Sequence, residues 1–424
     1  MSSSRFTTFC LAILAVPQLA CSDEELAGAA DDRSTTTAET EASTGAPTGG
    51  QDPAPPAGRE ETITAAVTGP AAGGVAGYVT TSASDPYANR CATNPVNDLG
   101  VLQVDPPYVM AYRSGKSGCG VWAPTTSDVL VHRQGIQRLT RNNKNYFVVS
   151  NSVDSGNYPG IEIVELKSRG ATAEKLGGNV TPSSWPACSD HIVKYLAYSS
   201  TTRDHAGGIQ VSGSYAIVPL ESSGDTTTAG FRIANLSDPG NPVWGNTVFR
   251  SRGQTFNAGA AALTRLSDSR FMALIFGNDS DDVEVFLSTS SGMPGFSVGS
   301  SWTSVALAPT PSGFEAYQNV QLIADCVGNL FVLGTHQNLF PEDDWADLWR
   351  VQFSDTYAPS FTKVKNRNVK CKSGNTGQTR YCDLQAGAGG YVSASGRLLL
   401  YGVEHYNDAY PGTGDGVKVR EFYP

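Results

Sequence analysis

The sequence carries its most regular pattern in four consecutive segments: Ala260–Thr264 (AAALT), Ser267–Ser269 (SDS), Arg270–Phe276 (RFMALIF) and Val283–Leu287 (VEVFL). The first is a strand of small residues and the second is a tight turn. A strongly apolar strand follows, and after a polar loop comes a strand in which apolar and polar residues alternate. Alternation with a period of two predicts β-strands, and no amphipathic helical pattern competes with it.

The same order of strands recurs four more times along the chain. The other copies span Gly135–Leu166, Gly208–Ile233, Val320–Val351 and Gly389–Phe422. Their spacing is uneven, so they are not short tandem repeats. A small-residue strand, an apolar strand and an alternating strand are what the inner, middle and outer positions of a propeller blade require. The sequence therefore predicts an all-β protein, a β-propeller with five recognisable blades.

Two further segments bear on the blade number. Val101–Met110, or the segment 171–200, could supply strands of a sixth blade or a closing strand. A large β-sandwich or a β-helix is the competing architecture.

The composition limits the function classes. Among 424 residues, 45 glycines and 24 prolines argue against coiled coils and helical bundles, and a mean hydropathy of −0.23 argues against a membrane span in the mature chain. Between Ser22 and Glu61, acidic residues outnumber basic ones ten to two, which accounts for most of the net charge of −10. The folded part is nearly neutral, and this argues against nucleic-acid binding. The basic run Lys363–Lys372 is most simply a solvated strand or loop.

The N-terminus has the features of an export signal. After Arg5, the apolar stretch Phe6–Ala20 is too short to span a bilayer. It ends in Gln18-Leu19-Ala20-Cys21, which resembles a bacterial lipobox, so residues 1–20 are expected to be a lipoprotein signal peptide and Cys21 the lipidated residue. Residues 21–74 are predicted to be a disordered acidic tether and 75–424 the propeller domain. We expect a monomer held at the outer membrane by its lipid alone.

Six cysteines remain after Cys10 in the leader and Cys21. An even number in an exported protein favours disulfides. In order of preference, the expected pairs are Cys371–Cys382, Cys91–Cys119 and Cys188–Cys326. The sequence has no C-x-x-C motif, so zinc-ribbon and thioredoxin-like interpretations have little support.

Candidate site residues come from the loops that lead into inner strands and the loops that join second and third strands. In a propeller these loops meet at one end of the central axis. Their polar residues are Asp204, His205, Glu221, Asn257, Asn278, Asp279, Tyr317, Gln318, His336, Gln337, Asp383, Gln385, Glu404 and His405.

Three interpretations of this set stay open. Together with Glu404 or Asp204, the three histidines His205, His336 and His405 offer ligands for Zn²⁺ or another divalent ion. Asp204, Asp383 and Glu404 could instead act as acid and base on a glycan, which makes them, with His205 and His405, the candidate catalytic residues. The simplest interpretation is that these residues bond to the backbone or line a ligand groove without chemistry.

Other motifs are weaker. Asn278–Asp282 has alternating oxygen ligands suited to Ca²⁺ but lacks the later bidentate glutamate of an EF-hand. Pro341–Asp347 is an acidic loop with an aromatic residue, a candidate contact for protein or sugar. The ligand-binding candidates are Tyr317, Gln318, His336, Gln337 and Trp345. No serine-hydrolase elbow, phosphate-binding loop or dinucleotide fingerprint occurs.

The folded region resembles secreted bacterial lipoproteins with a β-propeller domain. The resemblance is carried by Asp204–Gln210, Tyr317–Leu322 and Gly396–His405. It implies a fold and no particular activity. The function predicted from the sequence is a surface-anchored module that binds an extracellular glycan or protein at the propeller mouth. The alternative is a metal-dependent or carboxylate-dependent hydrolase or lyase acting on an extracellular, carbohydrate-like substrate.

Overall fold

The structure is a computed structural model, and the part of the chain that it describes belongs to the compact unit Arg59–Pro424. The described residues are 77–78, 90–104, 108–110, 131–153, 159–170, 173–176, 190–198, 205–221, 228–253, 255–266, 268–277, 280–339, 342–369, 382, 384–404 and 417–424. The predicted signal peptide (residues 1–20), the predicted lipidation site Cys21 and the predicted tether lie outside them. No helix among these residues is long and apolar enough to cross a membrane.

Four short elements precede the first blade: β1 (Gly77–Tyr78), α1 (Pro95–Val101), β2 (Gln103–Val104) and β3 (Tyr108–Met110). Blade 1 contains β4 (Val131–Arg141), β5 (Lys144–Val153), β6 (Gly160–Gly170) and β7 (Asp190–Ala197). Blade 2 contains β8 (His205–Ala206), β9 (Gln210–Ser212), β10 (Tyr215–Glu221), β11 (Gly230–Asn235), β12 (Val243–Trp244) and β13 (Val248–Phe249). Blade 3 contains β14 (Ala260–Leu266), β15 (Phe271–Phe276), β16 (Asp282–Ser288) and β17 (Trp302–Pro309).

Blade 4 contains β18 (Asn319–Ala324), β19 (Leu330–Leu339), β20 (Glu342–Phe353) and β21 (Pro359–Asn368). Blade 5 contains β22 (Ala388–Val392), β23 (Leu398–Val403) and β24 (Val417–Tyr423). In blades 1, 3, 4 and 5 consecutive strands pair antiparallel in the order of the chain. In blade 2, β8 and β9 both pair with β10, and β12 and β13 both pair with β11. The structure is therefore the predicted five-bladed β-propeller, with a blade at each copy of the repeat.

The hairpins that begin the blades follow from their turn residues. In blade 1, Asn142 and Asn143 both have positive φ, which a two-residue hairpin loop requires. Gly213 and Gly396 have positive φ at the corresponding turns of blades 2 and 5. Asparagine and glycine tolerate this conformation best, so these turns are encoded locally.

The core lies between the blades rather than within any one of them. Five buried apolar clusters occur, and each combines residues of two neighbouring blades. Between blades 5 and 1, for example, the rings of Phe147 and Tyr401 meet edge to face with centroids 5.4 Å apart. One of the five clusters lies between blade 5 and blade 1. The five blades therefore form a closed ring.

The segment before blade 1 completes blade 5. The sequence offered two segments that could supply a closing strand. Strands β2 and β3, which lie within Val101–Met110, both pair with β24 and supply it. Helix α1 begins at Asn94, whose side chain accepts a hydrogen bond from the Asn97 amide. Asp98 then accepts hydrogen bonds from Arg397 Nε at 2.8 Å and from the Leu398 amide at 2.9 Å.

A disulfide fixes the same segment to blade 4. It joins Cys91 to Cys326, beside a parallel bridge between Ala92 and Asp325. The predicted pairs Cys91–Cys119 and Cys188–Cys326 are therefore wrong. Cys382 is also disulfide-bonded, and Cys371, its predicted partner, lies outside the described residues.

Glutamine and asparagine side chains fill the central axis. Gln210 reaches from blade 2 across to blades 3 and 4: its Oε1 accepts from the Leu263 and Leu322 amides, and its Nε2 donates to the Leu322 carbonyl. Asn319 Nδ2 donates to the Gln385 and Ala386 carbonyls of the segment leading into blade 5. We call these residues the axial plug. It separates a top face, where the inner strands begin, from a bottom face, where they end.

Candidate functional site

The top face carries the predicted site residues that the structure describes. His205 begins β8, Glu221 ends β10, His336 lies near the end of β19, and Glu404 follows β23. They occupy similar positions in their blades because the end of a second strand and the start of an inner strand meet at this face. Asp204, Asp383 and His405 lie outside the described residues.

His205 and Glu221 form a pair within blade 2. They lie opposite each other in the β8–β10 register, and His205 Nδ1 is 2.8 Å from Glu221 Oε2. The side chain of His205 is 35% exposed and that of Glu221 is 12% exposed. This pair is therefore open to solvent and to a ligand at the rim.

Arg133 and Glu404 form a second pair, which joins blade 1 to blade 5. Arg133 Nη1 lies 4.0 Å from Glu404 Oε1, and both side chains are almost completely buried. An arginine this close favours the negatively charged form of the carboxyl group. The pair places a carboxylate near the axis, one layer below the rim.

His336 belongs to a third cluster, within blade 4, that centres on Asp347. Asp347 Oδ2 accepts hydrogen bonds from Tyr317 Oη at 2.6 Å and from Lys363 Nζ at 2.7 Å, and His336 Nε2 lies 3.6 Å away. Trp349 Nε1 donates to Tyr317 Oη at 2.9 Å. The carboxylate thus lies at a junction of three neighbouring donors.

This network shifts the pKa of both central groups. Burial alone would raise the pKa of Asp347, but the neighbouring His336 and the hydrogen bonds from Lys363 and Tyr317 outweigh it, and the pKa is lowered. Burial, and then the negative charge of Asp347, raise the pKa of Tyr317. At neutral pH the cluster is therefore a carboxylate held by a neutral phenol, which does not favour Asp347 as a proton donor.

Several ligand-binding predictions are corrected by burial. Tyr317 is completely buried, with its ring packed between Phe314 and His336, so its ring is not a surface contact. Trp345 lies on strand β20 opposite His336, and Pro341–Asp347 is therefore not a loop from Glu342 onward. Gln318, Gln337 and Trp345 are half-buried and remain available at the rim.

The described residues hold no group of three or more His, Cys, Asp or Glu side chains that could bind a metal ion. His205 and His336 each lie beside a carboxylate of their own blade, Glu221 and Asp347 respectively. In the Ca²⁺-like motif, Asp282 instead binds Arg250 at 2.6 Å, and Ser280 Oγ accepts from the Tyr317 amide. His405, Asp204, Asn278 and Asp279 lie outside the described residues, so the Zn²⁺ and Ca²⁺ sites stay predictions.

A polar layer beneath the rim has hydrogen-bonding capacity that no described protein atom uses. Asn151 Nδ2 and Oδ1, Ser152 Oγ and Thr335 Oγ1 are buried and have no partner within this part of the chain. Asn319 Oδ1 is a further such atom beside the axis. Polar atoms of this kind are costly to leave unpaired, and they mark a region suited to water or to polar ligand groups.

A cavity lined by described residues lies at the opposite, bottom face. It is lined by the ends of all five inner strands, with Gln137–Thr140 from blade 1 and Gly390–Val392 from blade 5. Sequence analysis missed it because its polar residues, Arg90, Arg138 and Tyr391, come from separate parts of the chain and lie within or beside regular strands. A charged residue on the inner strand of a blade, Arg138 on β4, is the signal that could have found it.

No protein-family model matches the sequence, and no curated protein matches it. Among solved structures, the chain is similar to the GH32 β-fructofuranosidase BmSUC1 of Bombyx mori, with a TM-score of 0.42 and 8% identity over 77% of this chain. It spans 62% of that enzyme's length. It is also similar to CoXyl43, a GH43 β-xylosidase/α-arabinofuranosidase from a compost microbial metagenome, with a TM-score of 0.40 and 9% identity over 74% of this chain and 95% of that one. Both of these structural neighbours are glycoside hydrolases.

Proposed function

We propose that the top face of this chain binds carbohydrate, and that binding rather than catalysis is its primary activity. The observation that carries the proposal is the set of charged pairs at similar positions of different blades. His205–Glu221 lies at the rim, and Arg133–Glu404 lies deeper, near the axis. Carboxylate, imidazole and amide groups can together accept from and donate to the adjacent hydroxyl groups of a sugar ring.

The half-buried rim supports the same ligand class. Gln318, Gln337 and Trp345 add amide and aromatic groups around the charged pairs. A concave surface with a few converging polar groups is typical of small-molecule sites. The near-neutral charge of the folded part favours a neutral glycan over a polyanion at this face.

The expected setting is the cell surface. Export by residues 1–20, lipidation of Cys21 and display on the tether 21–74 would hold a rigid propeller away from the outer membrane, with its loops toward the extracellular ligand. A monomer is sufficient for this function, because all the groups named above belong to one chain.

Glycoside hydrolysis is the second candidate, favoured by one specific observation. Glu404 is a buried carboxylate beside Arg133, which suits it to act as a base or nucleophile. A glycosidase also needs a second carboxyl group that is protonated. Among the described residues no such partner is evident, and Asp204 and Asp383 are the sequence candidates for it.

One experiment separates the two candidates. The mature chain, with disulfides intact, is screened for glycan binding and for release of reducing sugar, together with Glu221→Gln, Glu404→Gln and the exposed control Glu315→Gln. For a binding module we expect at least a tenfold weaker affinity in Glu221→Gln, an unchanged control and no turnover in any sample, since a hydrogen bond to a charged group contributes about 1.5–3 kcal/mol.

The hydrolase predicts a different result. The unmodified chain would release sugar, and Glu404→Gln would lose turnover while glycan binding and the thermal midpoint persist. If the unmodified chain neither binds nor cleaves any glycan of the screen, carbohydrate as the ligand class is wrong.

A further inference from the structure

The chain joins the propeller at its bottom face. Strand β1, the first described element after the predicted tether, pairs with Arg265 and Leu266 at the end of β14. The disulfide Cys91–Cys326 then fastens the chain to the turn after β18 in blade 4. The Thr93 amide donates to the Gly396 carbonyl, in the turn after β22 in blade 5, at 2.7 Å. All of these contacts lie where inner strands end, so the tether would enter the domain opposite the proposed glycan site.

The most exposed large apolar side chains among the described residues lie at the same face. Val298 is 106% exposed, Val327 68% and Val243 52%. Val298 lies in the loop from β16 to β17, Val327 in the turn from β18 to β19, and Val243 at the start of β12. These positions are the bottom ends of blades 3, 4 and 2. Apolar side chains gathered at one end of a domain mark a surface suited to contact.

The loop that carries Val298 is folded and uncharged. Residues 289–301 include no Asp, Glu, Lys, Arg or His. Met293 is buried, and its carbonyl accepts hydrogen bonds from the amides of Phe296 and Ser297 at 3.1 and 3.0 Å. The loop thus presents an apolar side chain with no charge of its own whose desolvation would oppose contact with an apolar layer.

The turn that carries Val327 draws its one charge inward. Asp325 is the only charged residue of 325–329 and is 7% exposed. Its Oδ1 accepts from the amides of Val327 and Asn329 at 3.1 and 2.7 Å. Arg350 Nη2 donates to Asn329 Oδ1 at 2.6 Å, which places an exposed positive charge beside the turn. An apolar tip with a neighbouring guanidinium suits the boundary between acyl chains and anionic headgroups.

We propose that the bottom face contacts the surface of the membrane that anchors the chain, with Val298 and Val327 as its apolar contacts, so that the top face points away from the lipid. This inference rests on the cell-surface setting proposed above. A disordered chain as long as the predicted tether, residues 21–74, has an end-to-end distance of about 40 Å.

Tethering makes a weak contact of this kind effective. An attached surface is held near its target at an effective concentration of about millimolar, so a contact too weak to retain a free protein becomes populated in an anchored one. The tether also lets the domain stand away from the membrane, and the two positions exchange as the contact forms and breaks. In the contact position the glycan site of the top face stays open.

The test is photo-crosslinking of the lipidated chain, purified from membranes and reconstituted in vesicles of phosphatidylethanolamine and phosphatidylglycerol that contain a diazirine-bearing phospholipid. Mass spectrometry then locates the lipid adducts. The double variant carries Val298→Asn and Val327→Asn. Leu307→Asn replaces an exposed apolar residue nearer the top end of blade 3 and is the matched control. Thermal midpoints verify that each variant is folded.

We expect lipid adducts in residues 289–301 and 325–329 at least about fivefold above those in the top-face segment 310–318, because the tether favours the contact. The double variant should lose this excess, and Leu307→Asn should keep it. Glycan binding is measured on the same vesicles. Absence of glycan binding with the adduct pattern intact would refute the proposed glycan function and leave the orientation supported.

Four results would overturn the orientation. They are a chain that is not recovered with the vesicles, equal labelling of the two faces, an excess at the top face, and an excess at the bottom face that persists in the double variant. A dimer of the detergent-solubilised chain that the double variant abolishes, detected by sedimentation, would make a second copy the occupant of this face and would also overturn the proposal.

Discussion

Replacing Gln210 with leucine should remove the central connection of the propeller. Leucine is close to glutamine in volume but cannot form hydrogen bonds. The change leaves three backbone groups unpaired, the amides of Leu263 and Leu322 and the Leu322 carbonyl, which Gln210 now meets at 2.9–3.0 Å. Each buried group left unsatisfied costs about 1–3 kcal/mol, and the apolar side chain recovers only part of that cost. The expected loss in the free energy of unfolding is about 3–5 kcal/mol.

The assay is chemical denaturation with disulfides intact, followed by tryptophan fluorescence and by far-UV circular dichroism. Coincidence of the two signals is the condition for converting midpoints to free energies. Gln352→Leu, at an exposed position of β20, is the matched control and should change the free energy by no more than about 0.5 kcal/mol. A loss below about 1 kcal/mol for Gln210→Leu would show that the axial hydrogen bonds do not hold the inner strands together.

Two more predictions follow from the same structure. Replacing both Cys91 and Cys326 with serine should lower the free energy of unfolding by about 2–5 kcal/mol, because the disulfide closes a long loop in the unfolded chain; an unchanged denaturation midpoint would contradict this. The pKa of Asp347 is lower in the folded chain than in the unfolded chain, where it is about 3.9. The ionised Asp347 therefore contributes its full stabilisation above this unfolded-state pKa, and the contribution is lost as the pH falls through the folded-state pKa. Asp347→Asn should therefore flatten the acid side of the stability–pH curve, measured as the denaturation midpoint from pH 7 to pH 2, and an unchanged acid slope would refute this.

The inner, middle and third strands of each blade were predictable because they are joined by local hairpins. Their turns are encoded by residues such as Asn142, Asn143 and Gly396, and their apolar strands alternate clearly. The fourth strands were not assigned to their blades, and β7 lies in the segment 171–200 that was expected to supply an additional strand. Strand β21, Pro359–Asn368, is largely exposed and contains most of the basic run, which is consistent with a solvated strand.

Long-range features were not predictable from local spacing. The Cys91–Cys326 disulfide spans 235 residues, and it forms because the segment before blade 1 returns to blade 4. Tyr317 was predicted to be a ligand contact because it precedes an inner strand among polar residues. In the structure its hydroxyl donates to the buried Asp347, and this turns the ring into the core.

The axial plug also separates the top face from the bottom face. At the level of Gly135 and Gly208, the inner strands approach so closely that an added methyl group would contact Asn319 Oδ1 at 3.0 and 2.6 Å, so the axis is filled there. The top face and the bottom-face cavity are thus separated by packed protein. Arg90→Gln, at the bottom face, should consequently leave glycan binding at the top face unchanged. If this substitution alters top-face binding without changing the thermal midpoint, the plug transmits a conformational change and is not the rigid spacer that its hydrogen bonds imply.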